Sequence, residues 1–233
     1  MTGRESLERN LADVRERIAA AAIRSGRDPG DVTLVAVTKT VPADVVMQAV
    51  SLGVTDVGEN RVQEALLKHG TFGGAVRWHM VGHLQSNKAA KAVRVFDVIH
   101  SVDRLSLAEE LDRLGRSAGT PVRALVQVNV SGEETKFGLP PAGVEPLLRR
   151  VSAMRHLAVE GLMTIAPFTV NPEETRPFFR GLRQILERVN RAGIPGVNLR
   201  HLSMGMTNDY EVAIEEGATI VRIGTAIFGP RLA

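Results

Sequence analysis

The stretch TLVAVTKTVPADVVMQAVSLGVTDVGEN, residues 33–60, has the pattern of a strand, a helix and a second strand. TLVAVTK, at its start, is short and rich in β-branched residues, whereas the middle part has apolar residues at helical spacing. Pro42 opens the helical part and Gly53 follows it, as is usual where a helix begins and ends. Such a unit predicts two parallel strands joined by a helix.

The same alternation continues to the end of the chain. Six more strand-like runs follow, separated by helix-like stretches: RWHMVG (77–82), DVIHSV (97–102), VRALVQVNV (122–130), LAVEGLMTIA (157–166), LRHLSMG (199–205) and TIVRIGT (219–225). Eight parallel strands suit a closed (β/α)8 TIM barrel or an open doubly wound sheet. The open sheet more often has a glycine fingerprint after its first strand, and AVTKT stands there instead. The α/β barrel is therefore favoured.

One further helix is predicted before the first strand. Residues 2–25 place Leu7, Leu11, Val14 and Ile18 at helical spacing, with charged residues between them. No linker or shift in composition divides the chain. We therefore expect residues 1–233 to form a single domain, a (β/α)8 barrel with an extra N-terminal helix.

Composition excludes several classes of protein. The net charge is +3 and the signs alternate along the chain, so no basic face for nucleic acid is expected. Without cysteine there is neither a disulfide scaffold nor a thiolate metal site. The first residues are charged and lack an apolar signal core, and no apolar run approaches the length that spans a membrane. We expect a cytoplasmic protein that does not bind a membrane.

Polar residues collect at the carboxyl ends of the predicted strands, where (β/α)8 barrels carry their sites. Lys39 ends the first strand directly after LVAVT, where loss of hydration would lower its pKa and favour a neutral amine. A neutral amine can form a Schiff base with an aldehyde, although a lysine at a strand end can also simply reach solvent. Lys39 is therefore a candidate whose support must come from elsewhere.

That support comes from the last two strands. SMGMTND (203–209) follows the seventh strand and Gly224-Thr225 follows the eighth, the two loops that often hold phosphate in barrels. Helix capping by Ser203 and Thr207 is compatible with this role. Arg222 lies in the apolar run TIVRIGT and needs a partner, either a structural carboxylate or an acceptor on a ligand.

His79 and His83 have a spacing that also occurs in zinc sites. Met-Val-Gly between them favours a strand and a turn over a helix, and no third ligand has convincing spacing. The residues therefore predict a polar lining of the pocket and no metal.

Taken together, these segments resemble the pyridoxal phosphate homeostasis protein family (the YggS/PROSC group), which is itself similar to the N-terminal barrel of alanine racemase (fold type III). The resemblance covers residues 34–229 and rests on the motifs LVAVTKTVP, GVTDVGENRVQE, WHMVGHLQSNK, IHSVDR, LVQVNVSGEETKFGL, EGLMTIAP and LSMGMTNDYEVAIEEGATIVRIGTAIFG. It implies that pyridoxal 5′-phosphate (PLP) is the cofactor and that Lys39 carries it as an internal aldimine.

The resemblance also implies roles for the other site residues. Those that would hold the phosphate are Ser203, Met206, Thr207, Gly224 and Thr225. Arg222 would face the pyridine nitrogen, and Asn60 and His83 would line the ring, with Met204 a weaker candidate. Thr207 departs from the family, which more often has Ser, but it keeps the hydroxyl.

The residues argue against turnover. An arginine opposite the pyridine nitrogen leaves that nitrogen unprotonated, which removes much of the electron sink. Racemisation needs a second base, and Tyr210 is expected on a helix surface. The expected function is a monomeric reservoir or carrier that binds PLP reversibly and passes it to apo-enzymes, with no catalytic residues. The alternatives are a PLP-dependent amino-acid racemase and a cofactor-free aldolase that binds its substrate through Lys39.

Overall fold

Eight parallel strands close into one barrel, with the order of the strands around the barrel following the order along the chain. The computed structural model describes residues 3–72 and 74–230. The strands are β1 Thr33–Val37, β2 Asp56–Glu59, β3 Arg77–Met80, β4 Val98–Val102, β5 Val122–Gln127, β6 Leu157–Met163, β7 His201–Ser203 and β8 Ile220–Ile223. Closure joins the first strand to the last, with Val35 opposite Arg222 and Ala36 opposite Ile223.

Helices follow the strands and form the outer layer. In the described residues these are α1 Gly3–Arg24, α2 Ala43–Ser51, α3 Val62–Phe72, α4 Ala89–Ala92, α5 Leu105–Ala118, α6 Val144–Val151, α7 Arg176–Arg191, α8 Tyr210–Glu215 and α9 Thr225–Phe228. The predicted (β/α)8 barrel with an extra N-terminal helix is thereby confirmed, although the predicted first residue of that helix, Thr2, lies outside the described residues. No helix in residues 3–72 or 74–230 has the length and apolar character needed to cross a bilayer.

Helix α1 is attached to the outside of the barrel by its apolar stripe. Leu7, Leu11, Val14 and Ile18 are buried, as their spacing predicts, and the helix packs mainly against α8 and α9. Asn10 donates a hydrogen bond to the carbonyl oxygen of Ile227 at 3.0 Å. The N-terminal helix therefore packs against the segment that follows β8 and helps to hold it in place.

The core has two layers. The larger one fills the space between strands and helices, and a smaller one lies inside the barrel, formed by Val35, Val81, Val98, Leu125, Met163 and Ile220. Barrel interiors are usually filled by such branched residues. Here the interior also holds buried polar side chains, among them His79, His100 and Arg222.

Gly161 in β6 marks a close approach of two strands. A Cβ added there would lie 2.1 Å from the carbonyl oxygen of His201 in β7, so Gly161→Ala must push the strands apart. We expect this variant to lose about 1–3 kcal/mol of unfolding free energy. Gly181 in α7 is the matched control, because a Cβ there meets no atom within 4 Å. Gly181→Ala should raise stability by about 0.5–1 kcal/mol, and chemical denaturation of both variants should show opposite signs.

Candidate functional site

Lys39 shares one cavity with the loop that follows β8. The cavity has a volume of about 380 Å³, and its lining includes Lys39, Gly224 and Thr225 together with the apolar residues Val37 and Phe228. Because β1 pairs with β8 in the closed barrel, the two strand ends lie side by side. The residues that the sequence placed at opposite ends of the chain are thus brought together.

The turn that carries Lys39 has an unusual backbone. Thr40 has a φ of 62°, in the left-handed region that non-glycine residues rarely occupy. Its amide donates to Glu64 Oε2 at 3.2 Å, and its hydroxyl donates to the carbonyl oxygen of Lys39 at 2.6 Å. Residues held in this region cluster at functional sites, because the surroundings must offset the strain. The turn after β1 is therefore held by α3, which carries Glu64.

A buried ion pair lies directly beside this turn. Lys68 Nζ on α3 donates to Glu59 Oε1 at 2.7 Å and to the carbonyl oxygen of Thr38 at 2.6 Å. The Thr38 hydroxyl also donates to Glu59 Oε1, at 2.7 Å. Burial raises the pKa of the fully buried Glu59 carboxyl, and the bonds from Lys68 and Thr38 oppose that effect. This pair could not be predicted from the sequence, because Lys68 and Glu59 lie on different elements.

Arg222 is a buried cation that forms no ion pair with a carboxylate of the described residues. Its NH1 group donates to Ser203 Oγ at 2.5 Å and its NH2 group to the carbonyl oxygen of Thr164 at 2.8 Å. Burial lowers the pKa of Arg222 to about 10, and the charge of Asp209 opposes this. The guanidinium still stays protonated at neutral pH, and these two bonds use two of its five N–H donors. Arg222 is not among the residues that line the Lys39 cavity, so its contact with a ligand stays a prediction.

Three of the residues expected at the phosphate loop are already engaged within the protein. Ser203 is fully buried between Arg222 and His100, and Met204 is fully buried in the outer core. The amide of Met206 donates to Asp209 Oδ1 at 2.7 Å. The structure therefore places Ser203 against Arg222 and Met204 away from the Lys39 cavity. The phosphate contact of Ser203 and the ring contact of Met204 stay predictions.

Thr207 connects the two loops that were expected to meet. Its hydroxyl oxygen accepts a hydrogen bond of 3.4 Å from the amide of Ala226, which follows Thr225 in α9. The loops after β7 and β8 therefore touch at the edge of the Lys39 cavity, as barrel geometry predicts.

Asn60 and His83 line a neighbouring cavity of about 630 Å³ at the ends of β2 and β3. His83 stacks on Phe137 with ring centroids 3.9 Å apart and an interplanar angle of 13°. Asp103 Oδ2 lies 3.2 Å from His83 Nδ1, but the angles are not those of a hydrogen bond. These residues are thus on the same rim as Lys39 but in a separate cavity.

His79 lies apart from His83, inside the barrel. Its Nε2 is 2.8 Å from Asp56 Oδ1 and its Nδ1 is 2.9 Å from His100 Nε2. No group of three His, Asp or Glu side chains in residues 3–72 and 74–230 has the geometry of a metal site. His79 was predicted to line the pocket, but its partners could not be predicted, since they belong to two other strands.

Similarity to known proteins agrees with this geometry. Residues 5–231 match the family model for the N-terminal domain of alanine racemase. A pyridoxal phosphate homeostasis protein of Aquifex aeolicus is 43% identical over 222 residues, which cover 95% of this chain and 96% of the relative. The structure of PipY from Synechococcus elongatus PCC7942 with PLP bound has a TM-score of 0.81 and 39% identity, covering 93% of this chain and all of that one.

An alanine racemase of Clostridium difficile shows the same fold at a greater distance. It has a TM-score of 0.70 and 16% identity, and it matches 98% of this chain but only 58% of its own length. The identity to the homeostasis proteins is far higher and extends over both chains. The chain thus belongs to the alanine racemase N-terminal domain family and, within it, to the pyridoxal phosphate homeostasis proteins.

Proposed function

We propose that this protein binds PLP at Lys39 and serves PLP homeostasis as a reversible reservoir or carrier with little or no turnover. The observation that carries the proposal is the shared cavity of Lys39, Gly224 and Thr225. Its volume of about 380 Å³ lies within the roughly 300–1,000 Å³ of small-molecule sites. The bound cofactor supplies an aldehyde that condenses reversibly with a primary amine.

The residues of the site fit the phosphate and the ring. A Cβ on Gly224 would lie 3.2 Å from the carbonyl oxygen of Val37, so these two residues of the cavity lining are in close contact. The unused N–H donors of Arg222 suit an acceptor such as the pyridine nitrogen, and Thr225 suits the phosphate. Asn60 and His83, in the neighbouring cavity, remain proposed contacts of the ring.

The position of Tyr210 argues against a racemase. Instead of lying on the helix surface as expected, it is 1% exposed, and its ring faces Arg17 of α1, whose guanidinium carbon lies 5.4 Å from the ring centroid. Burial raises the pKa of Tyr210 to about 12, which makes it a poor base at neutral pH. It does not line the Lys39 cavity. A cofactor-free aldolase is disfavoured by the similarity to PipY, whose structure contains PLP.

The remaining parts of the proposal concern the domain organisation, the oligomeric state, the location and the partners of the protein. We propose that residues 1–233 form one PLP-binding domain, that the protein acts as a monomer in the cytoplasm, and that apo-enzymes dependent on PLP receive the cofactor from it. Gel filtration with light scattering tests the monomer, and activation of an apo-aminotransferase by the PLP-loaded protein tests the transfer.

Mass spectrometry locates the attachment. The purified protein is incubated with PLP, reduced with borohydride and digested, and we expect the label on the peptide that contains Lys39. A parallel assay for racemase and transaminase products should show no turnover above free PLP. Label found only on other lysines would overturn the assignment, and turnover that disappears in Lys39→Ala would overturn the non-catalytic role.

A further inference from the structure

A continuous chain of hydrogen bonds crosses the interior of the barrel. It begins at Arg222, whose NH1 donates to Ser203 Oγ at 2.5 Å. Ser203 Oγ lies 2.9 Å from His100 Nδ1, and His100 Nε2 lies 2.9 Å from His79 Nδ1. His79 Nε2 then lies 2.8 Å from Asp56 Oδ1. All five side chains are buried and come from β2, β3, β4, β7 and β8.

The carboxylate end fixes the direction of this chain. Burial would raise the pKa of Asp56, but hydrogen bonds from His79, Arg77 and Thr55 lower it to about 2, so the group is ionised and can only accept. His79 must then carry a hydrogen on Nε2. The pKa of His100 is held well below its ordinary value, chiefly by burial.

The hydrogens can be placed so that each bond of this series has one donor and one acceptor. His79 Nδ1 accepts from His100 Nε2–H, and His100 Nδ1 accepts from the Ser203 hydroxyl. Ser203 Oγ is then free to accept from Arg222. Each bond polarises the next, and in a low-dielectric interior such polarisation strengthens the series.

Arg222 needs this series because its charge is buried and no carboxylate in residues 3–72 or 74–230 contacts it. We propose that Asp56 is the remote counter-ion of Arg222, and that His79, His100 and Ser203 are positioning residues that link the two through one directed chain. The proposal rests on the proposed function only in that PLP is the ligand that Arg222 faces.

The arrangement has a consequence for the ligand site. A carboxylate in direct contact with Arg222 would occupy its outward N–H donors and would place a second anion beside the phosphate. A counter-ion that is reached through three intervening side chains stabilises the cation and leaves those donors available. Two other charged groups lie next to this series of hydrogen bonds: Arg77 at the Asp56 end and Asp209 near Arg222.

The first test needs no cofactor. ¹⁵N-edited NMR of the ligand-free protein, labelled at histidine, reports the protonation of each ring nitrogen. We expect the hydrogen of each ring on Nε2, as the proposed direction of the bonds requires, and we expect Asp56→Asn to weaken that preference at His79. A hydrogen on Nδ1 of either residue in the wild-type protein would reverse the chain and overturn the proposal. This result stands whether or not the protein binds PLP.

The second test measures the effect on Arg222 through PLP binding. Asp56→Asn keeps the size and an acceptor oxygen but removes the charge, and we expect the dissociation constant for PLP to rise roughly 10-fold, within the usual range of coupling between distant sites. Arg77→Ala is the matched control. The Arg77 side chain is 57% exposed and contacts Asp56 without being a member of the hydrogen-bond series, so the affinity for PLP should stay within about 2-fold of the wild type. Equal affinities of wild type and Asp56→Asn, with the fold intact by circular dichroism, would exclude the remote counter-ion.

Discussion

Lys39→Ala should abolish covalent attachment of PLP completely, while the barrel remains folded. The alanine has no amine to condense with the aldehyde, and the side chain of Lys39 is only partly buried, so its removal leaves no large cavity in the core. The measurement is the visible absorption of the PLP-treated protein together with its mass after borohydride reduction. We expect the wild-type protein to gain both signals and the variant to gain neither.

Two further variants separate chemistry from charge. Lys39→Arg keeps a cation at the site, but a guanidinium stays protonated and does not form an imine, so this variant should also remain unlabelled. Lys91→Ala removes an exposed lysine of α4 and should label as the wild type does. Labelling of Lys39→Ala at the wild-type level would mean that another amine carries the cofactor.

The meeting of Lys39 with Gly224 and Thr225 could be predicted from the sequence because it depends only on topology. Once eight strand-like runs alternate with helices, closure of the barrel must place the end of β1 beside the end of β8. Both strand ends then share one face. The sequence therefore located the cavity without any knowledge of side-chain contacts.

Side-chain direction at the strand ends was harder to predict. β7 has only three residues, so the alternation that would assign Ser203 to the interior and Met204 to the outer layer has little sequence to rest on. The amide of Met206 is bound by Asp209 in a local contact that competes with a ligand. The prediction that Tyr210 lies on an exposed helix surface was also wrong, because α1 covers the face of α8 that carries it.

The series of hydrogen bonds between Asp56 and Arg222 could not be predicted from the sequence, for a different reason. Its members are separated by about 20 to 100 residues, as in the pair His100 and Ser203, which lie 103 positions apart. No local period joins them, since each occupies an interior position of a different strand. The two imidazoles and the hydroxyl come within hydrogen-bond distance because their strands close into one barrel and all three side chains point into its interior.

Lys68→Met should be the most destabilising single change at the site, because it leaves the Glu59 carboxylate buried without its cation. Removing one partner of a buried pair costs about 3–5 kcal/mol, which corresponds to a fall in melting temperature of roughly 6–20 °C for a domain of this size. Thermal and urea unfolding measure the loss. The same change removes the bond from Lys68 to the carbonyl oxygen of Thr38, so PLP binding at Lys39 should weaken as well.

The pH dependence of this loss identifies its cause. The pKa of Glu59 is raised in the folded protein above its ordinary value of 4.5, and in Lys68→Met it should rise further because the opposing bond is gone. A carboxyl whose pKa is raised by folding binds its proton more tightly in the folded state, so stability falls as the pH increases above about 4.5. The deficit of Lys68→Met should therefore be small in acid and should widen towards neutral pH.

The double variant Glu59→Gln with Lys68→Met supplies the control. It removes both charges, and replacement of a complete buried pair is often close to neutral, so most of the lost stability should return and the added pH dependence should disappear. Thr38 would then lack the ammonium but keep its hydroxyl bond to the side chain at position 59, which would partly restore the turn before Lys39. If the double variant is no more stable than Lys68→Met, the loss comes from the missing packing of the lysine stem, and the buried charge is not its cause.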